Sequence, residues 1–401
     1  MEDVLKINID DGRFNRQRLI PWWNQDRLRQ ARVLVLGAGA LGNEIVKNLA
    51  LLGIGHLRVV DFDNIENSNL SRSVLFRGED EGKPKCEVAA AAAKRIFPQI
   101  DAEGLNRDLI SELGWGWYLD ADVILTGLDG REARLAANRA CIITQRPFID
   151  GAIEGIDGVA RMFHGWDGPC YECTMGEKDW ELIRNRRSCN MLTREAMISG
   201  HVPTTATISS VVAGLQVQQA VKALHGIDSQ PGTGLSVNGL SFEAHTVTYQ
   251  RSDECYAHET SSEIMRLNWK ASEQTVGGAL LAANDLLGEK TSLELRHDIV
   301  VSRQCGTCDF FDTPMRILSR LMEGAGICPT CNSPLKLETT HSIDLHGPLV
   351  SRSLSAIGIP DYDIVRFRRG MSYWNVLLDG DRPHGWHGPE SMDETDASGS
   401  Q

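Results

Sequence analysis

The feature that most constrains this chain is an apolar run, Val33-Leu34-Val35-Leu36, followed at once by Gly37-x-Gly39-x-x-Gly42. Four apolar residues in succession read as a strand buried on both faces, as in a parallel sheet. Beyond the glycines Leu41, Ile45, Leu49 and Leu52 recur at helical spacing, and Gly53 ends the pattern as a C-cap. Strand, glycine turn and helix in that order make a phosphate cradle, because the backbone can approach closely and the helix N-terminus favours anions. Leu57 to Val60 is a second strand ending at Asp61, where an acid can accept from ribose hydroxyls. Val123 to Leu125 is a later strand whose loop carries Asp129. This alternation predicts an α/β, doubly wound, Rossmann-like sheet. The chain has no GxxxxGK[ST], which excludes a P-loop NTPase. On these residues alone an NAD-binding dehydrogenase fits equally well.

The residues after Asp61 separate the readings. Asp63, Asn69, Arg72, Lys83 and Lys85 lie in one stretch, DFDNIENSNLSRSVLFRGEDEGKPK. A dinucleotide needs little cationic help beyond the helix N-terminus. A triphosphate carries about four negative charges, and its α-phosphorus becomes attackable only when that charge is offset. Arg72, Lys85 and a magnesium ion held by Asp129 would supply the offset. The plainer alternative is a set of solvated loop charges.

A length of 401 residues suggests two or three domains. The formal charge of −13 disfavours non-specific nucleic-acid binding. No apolar run approaches the ~20 residues needed to cross a bilayer. The start, MEDVLKINIDDG, lacks a signal-peptide core, so the expected compartment is the cytoplasm. The first domain is expected over 1–262, with a basic N-terminal arm from Arg13 to Arg29 and a long helix from Ile208 to Leu224. Leu240 to Tyr249 reads as a strand pair or an edge strand. A smaller α+β domain is expected over 263–385, with a helix from Val276 to Leu287 and a strand from Leu293 to Val301. The tail 386–401, which opens on Trp386, is Ser-, Gly- and acid-rich and is predicted to be disordered.

Ten cysteines in a reducing compartment point to metal or catalysis before disulfides. Cys305-x-x-Cys308 and Cys328-x-x-Cys331 are two knuckles spaced for a closed, structural Cys₄ zinc ribbon. Cys170-x-x-Cys173 needs two further ligands. Cys86 and Cys141 fall in helical segments and read as packing residues. Cys189 follows Arg184, Arg186 and Arg187, and nearby cations favour the thiolate that attacks an acyl group. The alternative for Cys189 is a structural or merely exposed thiol.

The order of several motifs resembles the ThiF-type adenylating enzymes, which include ubiquitin-activating enzymes and bacterial sulfur-carrier adenylyltransferases. The matching residues are RFNRQ at 13–17, GAGALG at 37–42, DFDNIENSNLSR at 61–72, KPK at 83–85 and LDGREARLAAN at 128–138. GPCYEC at 168–173 and VVAGLQVQQAVK at 211–222 extend the resemblance over roughly residues 10–260. It implies that Asp61 holds the ATP ribose, that Asn69, Arg72 and Lys85 contact the phosphates, and that Asp129 binds magnesium. It implies that Arg16 reaches the triphosphate of a neighbouring subunit, which requires a homodimer. It also implies that Cys255 and His258 complete a second zinc site with Cys170 and Cys173. Ser71 and Ser73 flank Arg72 where the family often has Asn and Gln, and Gly130 follows Asp129 where Asn is usual.

In that family a transferring cysteine, when present, lies between the first zinc knuckle and the long helix, as Cys189 does. About ten extra residues here, including Gly200 to Thr205, could form a crossover loop or only a surface excursion. The expected function is ATP-dependent activation of a ubiquitin-like protein with a C-terminal glycine, thioester formation on Cys189 and transfer to a conjugating enzyme, in a bacterial homodimer. The rivals are a sulfur-carrier adenylyltransferase for thiamine or molybdopterin, and a zinc-ribbon interaction or nucleic-acid module on an inert Rossmann scaffold.

Overall fold

The structure, a computed structural model, describes residues 12–165, 168–188, 203–258, 263–318, 321 and 326–386. The first sheet contains β1 (Arg32–Leu36), β2 (His56–Val60), β3 (Asp101–Leu105), β4 (Val123–Thr126), β5 (Phe148–Glu154), β6 (Asp157–Phe163), β7 (Thr233–Asn238) and β8 (Glu243–Thr248). Its order is β3-β2-β1-β4-β5-β6-β7-β8. The first five strands are parallel and the last three antiparallel. The doubly wound half is therefore β1 to β5, and the sheet continues through a β5–β6 hairpin. Leu240 and Phe242 belong to the β7–β8 turn, and β8 is the edge strand of this sheet.

The helices are α1 (Asn15–Arg18), α2 (Gln25–Gln30), α3 (Ala40–Leu52), α4 (Lys85–Ile96), α5 (Gly116–Leu119), α6 (Arg131–Thr144), α7 (Glu177–Ser188) and α8 (Ala206–Leu224). Alternation along β1 sends Val33 and Val35 into one core and Leu34 and Leu36 into the other. The first core is closed by α3, α4 and α8 through Ile45, Leu49, Ala89, Ala93, Val212 and Val217. The second meets α5 and α6 through Trp117, Leu135 and Cys141. No helix among the described residues is long and apolar enough to cross a membrane.

A second, mostly antiparallel sheet holds β9 (Ile264–Leu267), β10 (Ser292–Cys305), β11 (Phe311–Asp312), β12 (Arg316–Ile317), β13 (Leu335–Ile343), β14 (Ile364–Arg369) and β15 (Ser372–Leu378), with α9 (Val276–Leu287) packed on it. This unit replaces part of the helical layer on the second face of the first sheet. Tyr362, Ile364, Leu377 and Trp386 enter the same core as Leu34 and Leu36. The approach is close: a Cβ at Gly116 would lie 2.6 Å from the Tyr362 carbonyl oxygen, which accepts instead from the Gly116 N–H at 2.9 Å. Asp120, fully buried, is bonded by Arg266 at 2.7 Å, by Arg382 at 3.0 Å and by the Tyr362 hydroxyl. Trp386 corrects the sequence expectation of a disordered tail from that residue on. Its ring is fully buried between Trp117 and Arg58, and its indole N–H donates to the Trp117 carbonyl at 3.2 Å. Residues 387–401 lie outside the described residues.

Candidate functional site

The order β2-β1-β4 reverses direction of winding at β1, and α/β sheets bind ligands at the carboxyl ends of strands at such a point. The glycine turn leaves β1 there. Gly37 has φ +91°, and a Cβ on it would stand 2.6 Å from the Gly127 oxygen. A Cβ at Gly42 would lie 1.9 Å from the Gly37 oxygen, so the turn can fold onto α3 only as glycine. Gly39 differs: no heavy atom lies within 4 Å of its Cβ position, which is the open space a phosphate needs. The amide of Asn43, fully buried, donates to the Ala38 oxygen at 2.7 Å and accepts from Leu75 N–H at 2.9 Å. It thereby fastens the Arg72 loop to the glycine turn.

Asp61 directly follows β2 and accepts from the Ala38 N–H at 2.7 Å and the Asp63 N–H at 2.8 Å. Burial raises its carboxyl above the ordinary 3.8, and those two bonds only partly offset the rise. Lys85 opens α4 and pairs with Asp63 at 2.8 Å. Asn69 is almost buried and its carbonyl accepts from Glu66 N–H at 3.0 Å, capping its own turn. Arg72 donates to the Ser68 oxygen at 2.7 Å. Asp129 is exposed in the loop that follows β4, two residues after Gly127. That loop is held from below by Arg134, which donates to the Leu128 oxygen and pairs at 3.2 Å with the buried Asp150. Thus the glycine turn, Asp61, Asp63 and Lys85 are linked by direct bonds, and the Arg72 and Asp129 loops are anchored against the same turn.

Arg16 stands elsewhere. Its neighbour Phe14 packs where a Cβ of Gly53 would be, at the C-terminal end of α3, and against Phe97. The glycine turn is at the opposite end of this 13-residue helix, about 20 Å away. Cys189 lies outside the described residues. Sequence reasoning missed Asn43, Gly127, Arg134 and Asp150. Arg134 lies within a quoted motif; Asn43 only follows one and carries no spacing signal.

Two groups of four ligand-type side chains come together. Cys170, Cys173, Cys255 and His258 form one, and Cys305, Cys308, Cys328 and Cys331 the other. Cys170 is 3.7 Å from both Cys173 and Cys255 in sulfur separation, and Cys173 is 3.2 Å from the His258 Nε2. Cys305 and Cys331 are 3.4 Å apart, and Cys308 and Cys328 are 3.5 Å apart. Tetrahedral zinc with Zn–S near 2.3 Å sets sulfurs about 3.8 Å apart, whereas a disulfide needs about 2.05 Å. The donor set therefore fits a closed metal site. Asn138 accepts from the Tyr171 N–H at 2.9 Å and Arg139 pairs with Glu172 at 3.2 Å, which fixes the first knuckle to α6.

A glycine turn at the switch point of a doubly wound sheet, with a carboxylate bonded to it and a lysine beside it, defines a Rossmann-like site whose chemistry suits a nucleotide. Residues 14–257 match the ThiF family, and the chain belongs to that family of ATP-dependent adenylyltransferases and E1-like activating enzymes. A sulfur carrier protein adenylyltransferase of Thermus thermophilus is 32% identical over 253 residues, 61% of this chain and 89% of that protein. The NEDD8-activating enzyme E1 catalytic subunit of Arabidopsis thaliana is 39% identical over 170 residues, 39% of this chain and 37% of that protein. Among solved structures, Escherichia coli MccB with ATP shares the fold at a TM-score of 0.52 and 23% identity, over 63% of this chain and 75% of that one. The dehydrogenase reading is set aside by the family match.

Proposed function

We propose that the protein adenylates the C-terminal carboxylate of a small ubiquitin-like protein and then carries the acyl group as a thioester on Cys189, for delivery to a conjugating enzyme. The observation that carries the adenylation step is the contact between Asp61 and the glycine turn, beside open space at Gly39. In this reading Asp61 binds the ribose, and the Gly37, Gly39 and Gly42 turn receives the phosphates. Lys85 leaves Asp63 for the triphosphate, Arg72 offsets charge beside it, and Asn69 offers its amide. Asp129 is a free, exposed carboxylate at this rim, which suits magnesium; when bound, the ion neutralises phosphate charge. A carboxylate oxygen attacks the α-phosphorus, pyrophosphate leaves, and the thiolate of Cys189 then attacks the acyl carbon as AMP departs.

A protein substrate is supported by the rim itself. Leu240 and Phe242 are 85% and 96% exposed at the β7–β8 turn, with Ile156 beside them on the cradle's side of the sheet. The position of Arg16, a helix length from its own cradle, supports action on a partner subunit's nucleotide in a homodimer. The sulfur-carrier reading shares every step up to the adenylate, and the 89% coverage of the Thermus relative keeps it as the second reading. The two cysteine-rich groups are read as structural zinc sites, and the C-terminal one as a zinc ribbon.

The test is magnesium-dependent ATP–pyrophosphate exchange with a β-grasp protein ending in glycine. Asp129→Ala abolishes it, and Arg72→Ala or Lys85→Ala lowers it at least ~10²-fold. Mixing Arg16→Ala with Asp129→Ala restores part of the activity if one mixed site is intact. Unchanged exchange in all three cradle variants sinks the site.

A further inference from the structure

The opposite end of the first sheet carries a different cluster. Register places Arg32 beside Asp122 at the start of β1 and β4, because the Asp122 N–H donates to the Arg32 oxygen at 2.8 Å. The Ile124–Phe148 pair sets Arg146 level with Asp122 on the next strand, and the Phe148–Phe163 pair sets His164 beside Pro147. Three aspartates and four arginines meet here and at the junction behind it. Asp122 is bonded by Arg32 at 2.7 and 3.3 Å. Asp120 is held by Arg266 and Arg382, and Asp379 faces the same two at 3.1 and 3.4 Å. Arg146 is left over. Among the described residues its side chain has no hydrogen-bond or ion-pair partner, and its Nε is sealed from solvent.

A guanidinium does not shed its proton, so a half-buried one with no bonded counter-charge is costly. Burial lowers the pKa of Arg146, only partly offset by Asp122 and Asp120, with Arg32 and Arg266 lowering it further. Burial and the neighbouring Arg146 also hold His164 below its ordinary value. The planar fork of five donors is suited to a bidentate oxyanion.

We infer that Arg146, flanked by His164, is an oxyanion site at the end of the first sheet opposite the nucleotide cradle, taking a phosphate or carboxylate group from outside the chain. The site is independent of the adenylation reading, being a strand length, about 17 Å, from the glycine turn.

The experiment is thermal unfolding of the full chain in inorganic phosphate against chloride at fixed ionic strength. A bound anion raises the midpoint by mass action, saturably and by about 2–4 °C. Arg146→Gln abolishes the rise and Arg146→Lys weakens it, whereas Arg72→Ala, which impairs the cradle, retains it. Pyrophosphate exchange is unchanged in Arg146→Gln. An equal response in wild type and Arg146→Gln overturns the site. So does a response that emerges only after Asp167→Asn, or after neutralising Glu390, Asp393, Glu394 and Asp396, because Arg146 then has an internal partner. If Arg146→Gln fails to fold, the Arg146→Lys titration decides alone: an unweakened response refutes the bidentate site.

Discussion

The ring of Trp386 lies 5.0 Å from the guanidinium carbon of Arg58, and both side chains are sealed from solvent. Arg58 sits mid-strand in β2 and is answered by Asp101 at 3.0 Å and Glu103 at 3.2 Å on β3. Trp386 is thus the cover on a buried charge as well as an apolar anchor. Trp386→Ala is expected to cost about 3–5 kcal/mol, as for other large aromatic truncations. Urea unfolding checks this. A loss under about 1 kcal/mol would mean that the segment is not part of the shared core.

Asp61 couples the cradle to pH. The native carboxyl titrates above 3.8 because burial outweighs the Ala38 and Asp63 bonds. The folded state therefore binds this proton more readily than the unfolded state. Its contribution to stability falls as pH rises from 3.8 to the native value, and stays at the lower level above it. In nucleotide-free protein, Asp61→Asn removes that fall. The stability of the variant relative to wild type should rise across this window and then become flat. Nucleotide binding should drop in the same variant, as the ribose role proposed for Asp61 requires. A relative stability that declines across the window contradicts the raised pKa.

The elements around the cradle were legible because their signals are local. The apolar run predicted at 33–36 is β1, the helix predicted at 276–287 is α9, and the helix predicted from Ile208 begins at Ala206. The two knuckles at Cys305–Cys308 and Cys328–Cys331 were legible from spacing, whereas the pairing of Cys170 and Cys173 with Cys255 and His258 followed from the family resemblance; both ligand groups assemble. What was not legible depends on distant pairs. Asp120 meets Tyr362 across 242 positions, and Trp386 meets Trp117 across 269. No periodicity marks either, so a polar, glycine-bearing C-terminus read as tail although its first residue is core. Asn43 was overlooked because one buried amide leaves no pattern.

The two ligand groups make a metal prediction. Metal analysis should find two zinc ions per chain. Cys170→Ser and Cys328→Ser should each remove one. Structural zinc sites bind with apparent free energies of about 10–16 kcal/mol, so a strong chelator should unfold the regions they close. The Cys328 variant should spare the cradle, since its cluster packs with Leu335 and Leu337 in a separate small core. A single zinc in the wild-type protein, retained in Cys170→Ser, would leave the first group as reduced thiols and an imidazole.

The remaining cysteine carries the sharpest chemical prediction. Seven of the nine described cysteines belong to the two ligand groups. Cys86 is fully buried, and its thiol is pushed up to about 11 by burial and then by Asp61. Burial also pushes Cys141 far above its ordinary value. Neither offers an accessible thiolate, which leaves Cys189 as the proposed acyl acceptor. Cys189→Ala should leave pyrophosphate exchange within about twofold of wild type, because the thiol acts after the adenylate has formed. It should remove a carrier-protein adduct that survives denaturation and is cleaved by thiol reductant. Persistence of that adduct in the variant excludes Cys189 as its acceptor. Active exchange with no adduct in the wild type selects the sulfur-carrier route, in which the adenylate itself is the species handed on.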